Sequence, residues 1–188
     1  MKITSTKFIK GLKGSDSIIQ EPIPQFAFVG RSNVGKSSLM NCLLNSKSLV
    51  KSGKTPGKTK EINFFLVNNK MYFVDLPGYG FSKNFLEERE QLSKMIQWYL
   101  MEPVFLRKVI FVLDSRIKPS ELDLEMYRIL REHDQDIIIV ANKIDALSQK
   151  ERHANLKAIN EAFPGNQIIP CSAKTRYGWQ EIWNKIQE

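Results

Sequence analysis

Gly30-Arg31-Ser32-Asn33-Val34-Gly35-Lys36-Ser37 follows the apolar run 26–29 and opens the helix-period stretch 37–44. The octet fits G-x-x-x-x-G-K-[ST] in the strand, loop and helix setting that the pattern requires. Its glycines let the backbone wrap an anion, so that successive N–H groups and the helix N-terminus point at phosphate oxygens. Lys36 then supplies a point charge to the β- and γ-phosphates, and the Ser37 hydroxyl is placed to bind Mg²⁺. The competing reading is a glycine turn beside a solvated lysine.

Outward from this loop, short apolar runs alternate with helix-period segments. Runs 26–29, 62–67, 71–74, 109–113, 137–141 and 167–169 read as strands, mostly continuous and therefore buried on both faces. Helical stripes fall in 37–44, 87–101, 122–130 and 179–186. This alternation predicts a doubly wound α/β fold with right-handed crossovers. Asn68-Asn69-Lys70 is too short for a parallel crossover, so runs 62–67 and 71–74 are expected to pair antiparallel. No repeat or linker interrupts the chain, which is expected to form one domain over 1–188, with 1–22 as a basic N-terminal extension.

Composition narrows the classes further. The chain has 188 residues, 10% aromatic and 42% apolar, which argues against disorder. Apolar runs of about five residues fall far short of the roughly 18 that a membrane span needs. The first residues lack the 7–15-residue apolar stretch of a secretory signal, and no arginine precedes Arg31. Cys42 and Cys171 make no disulfide framework and read as free thiols of a reducing compartment, so a cytoplasmic protein is expected. Lys plus Arg exceed Asp plus Glu by 28 to 20. The surplus is local, because residues 1–60 hold eleven Lys/Arg and two acids.

Two later segments give the loop a partner. Asp75-Leu76-Pro77-Gly78 ends a strand, where a carboxylate can hold Mg²⁺ through water and Gly78 can offer its N–H to a γ-phosphate. Alone, this D-x-x-G is an ordinary turn. Asn142-Lys143-Ile144-Asp145 follows another strand. The Asp145 carboxylate can accept from the N1–H and exocyclic amine of guanine, a pairing that adenine cannot make. Asn142 would tie this segment to the phosphate loop, and the Lys143 stem would cover one face of the base. The bland alternative is a helix cap. Ser172 and Ala173 would complete the base pocket, with the Ala173 N–H reaching the guanine carbonyl. Cys171 is beside it by position and offers backbone at most. Asp114 and Arg116, at a strand end, read as structural.

In this order the segments resemble the translation-factor-related GTPases. Gly30 to Ser38, Thr55-Pro56-Gly57-Lys58-Thr59, Asn63-Phe64-Phe65 and Asp75 to Gly80 are similar to the EngB/YihA family across the whole chain. The resemblance implies a Ras-like P-loop GTPase domain, with a six-stranded, mostly parallel sheet, one antiparallel edge strand and helices on both faces. It implies a Mg²⁺-dependent GTPase that binds GTP and GDP, assists assembly of the large ribosomal subunit, and has a role in septation and cell division. Its expected partners are large-subunit precursors, both RNA and protein, and the expected state is monomeric. A septin-like division GTPase is the third reading.

An effector loop needs a threonine for Mg²⁺ and the γ-phosphate, and the residues alone leave Thr55 and Thr59 open. The resemblance favours Thr59, with Gly57, Lys58, Lys60 and Glu61 lining the nucleotide. Where Ras-type enzymes carry a catalytic glutamine this chain has Tyr79, so slow intrinsic turnover is expected, and a GTP-gated RNA-binding module with negligible hydrolysis stays open. Asn33 occupies the place where related K⁺-activated GTPases hold a potassium ion. Lys36, Asn33 and Thr59 are therefore the expected catalytic set, and Ser37 and Thr59 the expected metal ligands.

Overall fold

A computed structural model describes residues 2–50, 61–80 and 86–188. Its sheet is built from β1 (Thr6–Leu12), β2 (Gln25–Val29), β3 (Ile62–Val67), β4 (Met71–Asp75), β5 (Arg107–Asp114), β6 (Asp136–Asn142) and β7 (Ile168–Pro170). The helices are α1 (Lys36–Leu43), α2 (Leu86–Met101), α3 (Glu121–Glu132), α4 (Gln149–Ala162) and α5 (Trp179–Gln187). The strand order is β1-β3-β4-β2-β5-β6-β7. β2 pairs parallel with β4 and β5, and β5, β6 and β7 continue in parallel, while β1–β3 and β3–β4 are antiparallel.

Side-chain alternation distributes the strands between two cores. Ala27, Val29, Val109, Phe111, Leu113, Ile139 and Ala141 face α2, α3 and α4, which bring Tyr99, Leu130 and Ile159. Phe26, Phe28, Ile110, Val112, Ile138 and Val140 face α1 and α5, which bring Leu39, Leu43, Ile182 and Trp183. Each fully buried Phe or Ile of this kind contributes roughly 1.5–3 kcal/mol relative to exposure. Burial on both faces explains why these runs are continuous rather than alternating.

The β3–β4 hairpin follows the expectation. Asn68 and Asn69 both have positive φ, and Lys70 N–H donates to Val67 O at 3.0 Å, the turn that matches strand twist. Among the described residues the sheet has seven strands, one more than expected, and the first comes from within residues 1–22. β1 pairs with β3, and Leu12, Ile18 and Ile19 are buried in the α2/α3 core. The Asn68 side chain fastens the start of the chain, accepting from the Thr4 and Ser5 N–H groups and donating to Lys2 O. Gln25 holds the 16–20 segment by donating to Ile19 O at 2.7 Å, while its carbonyl accepts from the Tyr99 hydroxyl.

After β2 the chain moves to one side for β3 and β4, then returns to the other side for β5 and β6. The crevice at the carboxyl ends of β2 and β5 is thus the topological switch point, where open α/β sheets bind ligands. Among the described residues no helix is long and apolar enough to cross a membrane.

Candidate functional site

Five segments meet at the carboxyl ends of the parallel strands. The 30–35 loop leaves β2, Asp75 closes β4, Asp114 closes β5, Asn142 closes β6, and Cys171 to Ala173 follow β7. The loop takes its shape from backbone that side chains disfavour. Asn33 has φ 65° and Gly35 φ 99°, both left-handed, and a Cβ on Gly35 would stand 2.5 Å from Asn142 Nδ2. α1 begins directly after Gly35, so its unpaired N–H groups face the loop.

Lys36 is 8% exposed, and its ammonium donates to Gly30 O at 2.9 Å and Arg31 O at 3.4 Å. Burial lowers its pKa, and the charge of Asp75 works against that shift. Asp75 is 3% exposed, and burial pushes its carboxyl up to about 6 despite Lys36 and a hydrogen bond with the Ser37 side chain. Among the described residues its Oδ1 is buried with no hydrogen-bond partner. A buried carboxylate oxygen without a partner, beside a serine hydroxyl, is a donor set that suits a hard cation such as Mg²⁺.

Asn142 is 1% exposed and joins three segments. Its Nδ2 donates to Val34 O at 3.0 Å and its Oδ1 accepts from Ala173 N–H at 3.1 Å. The link expected between the 142–145 segment and the loop is therefore present, and it extends to the β7 side. Lys143 has φ 71°. Its ammonium donates to Asn33 O and, at 2.8 Å, to Asp114 Oδ2. Ile144 is buried, its N–H donating to Cys171 O, while Asp145 is exposed and accepts from the Ser172 hydroxyl at 2.6 Å. Cys171 is buried, with its N–H on Ala141 O, and burial pushes its thiol up to about 12. That leaves it a backbone role here. The arrangement presents one carboxylate to solvent beside a lysine stem, which can read a base by its hydrogen-bond edge and one face.

Leu76 and Pro77 are buried and carry Gly78 over the loop, where its carbonyl accepts from the Ser32 hydroxyl at 3.2 Å. Ser32 N–H donates to Tyr79 O at 3.0 Å, and Arg31 and Tyr79 form a parallel bridge. A Cβ on Gly78 would meet the Ser32 backbone N at 2.9 Å, so this close approach admits only glycine. The Tyr79 side chain turns into the core and donates to Asp123 Oδ1 at 2.8 Å. Asp123 Oδ2 accepts from the Ser120 N–H and hydroxyl at the start of α3 and lies 3.9 Å from the Arg31 guanidinium.

Gly57, Lys58, Thr59 and Lys60 lie outside the described residues, as does Thr55. Glu61 is described, 3.4 Å from the Lys13 ammonium. Asp114, read as structural, holds both Lys143 and Arg116. Tyr79 and Asp123 form a second contact that no local pattern marks.

The family model described as a 50S ribosome-binding GTPase matches residues 25–143. A probable GTP-binding protein EngB of Clostridium kluyveri is 42% identical over 190 residues, covering 100% of this chain and 96% of the relative. The crystal structure of a probable GTP-binding protein EngB superposes with a TM-score of 0.72 at 27% identity, covering 86% and 96% of the two chains. Era in complex with MgGDPNP and nucleotides 1506–1542 of 16S ribosomal RNA superposes with a TM-score of 0.70 at 25% identity, covering 87% of this chain and 55% of Era.

Proposed function

The chain belongs to the EngB family of GTP-binding proteins and is a GTPase, and from that premise we propose that it is a Mg²⁺-dependent, cytoplasmic switch assisting assembly of the large ribosomal subunit. The observation that carries this reading is the junction at Asn142, which ties the phosphate-loop carbonyl of Val34 to the Ala173 segment of the base pocket. One asparagine thereby keeps the phosphate and base subsites in a constant relation, as a single nucleotide spanning both requires.

In this reading Gly30 to Ser37 cradle the phosphates, Lys36 carries the countercharge, and Asp145 with Ala173 reads guanine. Ser37 and Thr59 would hold Mg²⁺, with the Asp75 carboxylate beside them. The metal supplies charge neutralisation on the β- and γ-phosphate oxygens when bound. Gly78 and Thr59 report on the γ-phosphate, so hydrolysis changes the surface offered to the pre-ribosome. A role in septation and cell division would follow from the supply of ribosomes. Turnover is slow, because position 79 brings no glutamine to the attacking water, and a K⁺ ion at Asn33 is the proposed accelerator.

A second reading, a GTP-gated RNA-binding module with negligible hydrolysis, is favoured by one observation, the burial of the Tyr79 side chain against α3. Both readings are tested by sedimentation with large-subunit precursors in GTP, a non-hydrolysable analogue and GDP, with phosphate release measured in parallel. Nucleotide-dependent pelleting with particle-stimulated multiple turnover supports the assembly switch. Pelleting without turnover supports the second reading, and absence of pelleting in every state removes both. Phosphate release equal in K⁺ and Na⁺ rules out the potassium role.

A further inference from the structure

We propose that Asp114 is the positioning residue of the guanine pocket, holding Lys143 and Arg116 in place before nucleotide arrives. The proposal rests on the nucleotide reading of the site given above. Asp114 is the last residue of β5 and pairs in register with Asn142 on β6, so it stands beside the base-reading segment. Its side chain is 9% exposed, and both oxygens are used. Oδ2 accepts from the Lys143 ammonium at 2.8 Å and from Arg116 Nη2 at 2.8 Å. Oδ1 accepts from Arg116 Nε at 2.9 Å and from its backbone N–H at 3.1 Å.

Lys143 is held at both ends. Its backbone is left-handed at φ 71°, where a long side chain is disfavoured, and its ammonium is shared between Asp114 and Asn33 O. The stem between those points runs from the base-reading segment to the phosphate loop. A free lysine side chain samples many rotamers, and an untethered stem would lose that freedom on closing over a base. The carboxylate removes that loss in advance, which is preorganisation in the ordinary sense. Arg116 is locked by a two-point fork from the same carboxylate, a geometry that suits guanidinium and not ammonium. The charge of Asp145 adds to that of Asp114 in raising the Arg116 pKa, so the guanidinium stands within electrostatic reach of the base-reading carboxylate. Two cations beside the base-reading segment thus share one anchor.

The test is dissociation of N-methylanthraniloyl-GDP from the full chain, followed by stopped flow, with single-turnover GTP hydrolysis alongside. Asp114→Asn and Lys143→Met, the latter keeping an apolar stem without its ammonium, are each expected to speed dissociation about tenfold, the scale of one charge-assisted hydrogen bond. The double variant is expected to lose clearly less than the product of the two single losses, because both cut the Lys143–Asp114 tether. Asp114→Asn also frees Arg116, and Lys143→Met also drops the contact to Asn33 O. In Asp114→Asn, hydrolysis is expected to need a higher GTP concentration for half saturation, a loss of hold on the nucleotide that a merely structural role would not produce. Wild-type dissociation in Asp114→Asn, or single losses that multiply in the double variant, overturns the proposal. Should Asp114→Asn not fold, Lys143→Met alone decides, with a wild-type rate as the overturning result. Failure of the wild-type protein to bind the fluorescent GDP would instead strike the nucleotide reading beneath the proposal.

Discussion

The Tyr79 hydroxyl donates to the Asp123 carboxylate at 2.8 Å, joining the residue after Asp75-Leu76-Pro77-Gly78 to the first turn of α3. Both residues are buried, and burial with the Asp123 charge raises the Tyr79 pKa well above its ordinary value, so the phenol stays a proton donor. Tyr79→Phe leaves Asp123 with Ser120 as its remaining close donor and is expected to cost about 1.5–3 kcal/mol, read as a lower denaturant midpoint. Tyr79→Gln is expected to hydrolyse GTP no faster than wild type, because side chain 79 packs into the core. A single-turnover rate that rises severalfold would show instead that residue 79 reaches the attacking water.

This pairing also shows where sequence reading stops. Tyr79 and Asp123 are 44 positions apart, and Asp114 and Lys143 are 29 apart. Neither pair leaves a local pattern, whereas the loop, D-x-x-G and Asn142 to Asp145 segments are each contiguous and announce their chemistry in order. The central strands were legible because both faces are covered and every position is apolar. β1 was not, since its lysines and a register shift between Phe8 and Lys10 break the alternation of an edge strand. α4 was also missed, for it buries only Ile159 and carries no broad apolar stripe. Its one signal was the Ser148–Glu151 capping box, which the structure contains.

Asp145 accepts from Ser172 and is otherwise open to solvent, the state in which a carboxylate can meet the N1–H and amine of guanine. Asp145→Asn replaces two acceptors with one acceptor and one donor. Xanthine presents a carbonyl where guanine carries its amine, so the asparagine matches xanthine instead. GTP affinity is expected to fall on the order of a hundredfold, while xanthosine triphosphate affinity rises. Competition against a fluorescent guanine nucleotide measures both. Unchanged GTP affinity would remove Asp145 from the base pocket.

The buried Oδ1 of Asp75, without a hydrogen-bond partner among the described residues, is the structural ground for placing Mg²⁺ beside Ser37. In wild type, chelation with EDTA is expected to accelerate GTP release on the order of tenfold, the scale of one lost charge-assisted contact. Asp75→Asn should release GTP quickly with or without EDTA, because its amide is a poor partner for a metal-bound water. The denaturant midpoint of the variant is measured alongside, because the change removes one buried charge but also the countercharge of Lys36. A variant that retains the full EDTA response would place the metal elsewhere.

The basic surplus of residues 1–60 divides once contacts are assigned. Lys36 belongs to the phosphate loop, Lys10 pairs with Asp16 at 2.9 Å, and Lys13 pairs with Glu61 at 3.4 Å. Lys7 on β1 and Lys47 after α1 are exposed, while Lys51, Lys54, Lys58 and Lys60 lie outside the described residues. If RNA phosphates are the target, each neutralised contact should lower the slope of log affinity against log salt by about 0.9. Replacing Lys47, Lys51 and Lys54 with Gln is therefore expected to weaken binding to large-subunit particles and to lower that slope by roughly 2–3. Guanine-nucleotide affinity should change less than about twofold, because none of the three lysines is among the residues assigned to the nucleotide and longer-range charge effects are screened by salt. Affinity lost with the slope unchanged would mean that these lysines touch protein, and an unchanged affinity would move the docking face to another part of the surface.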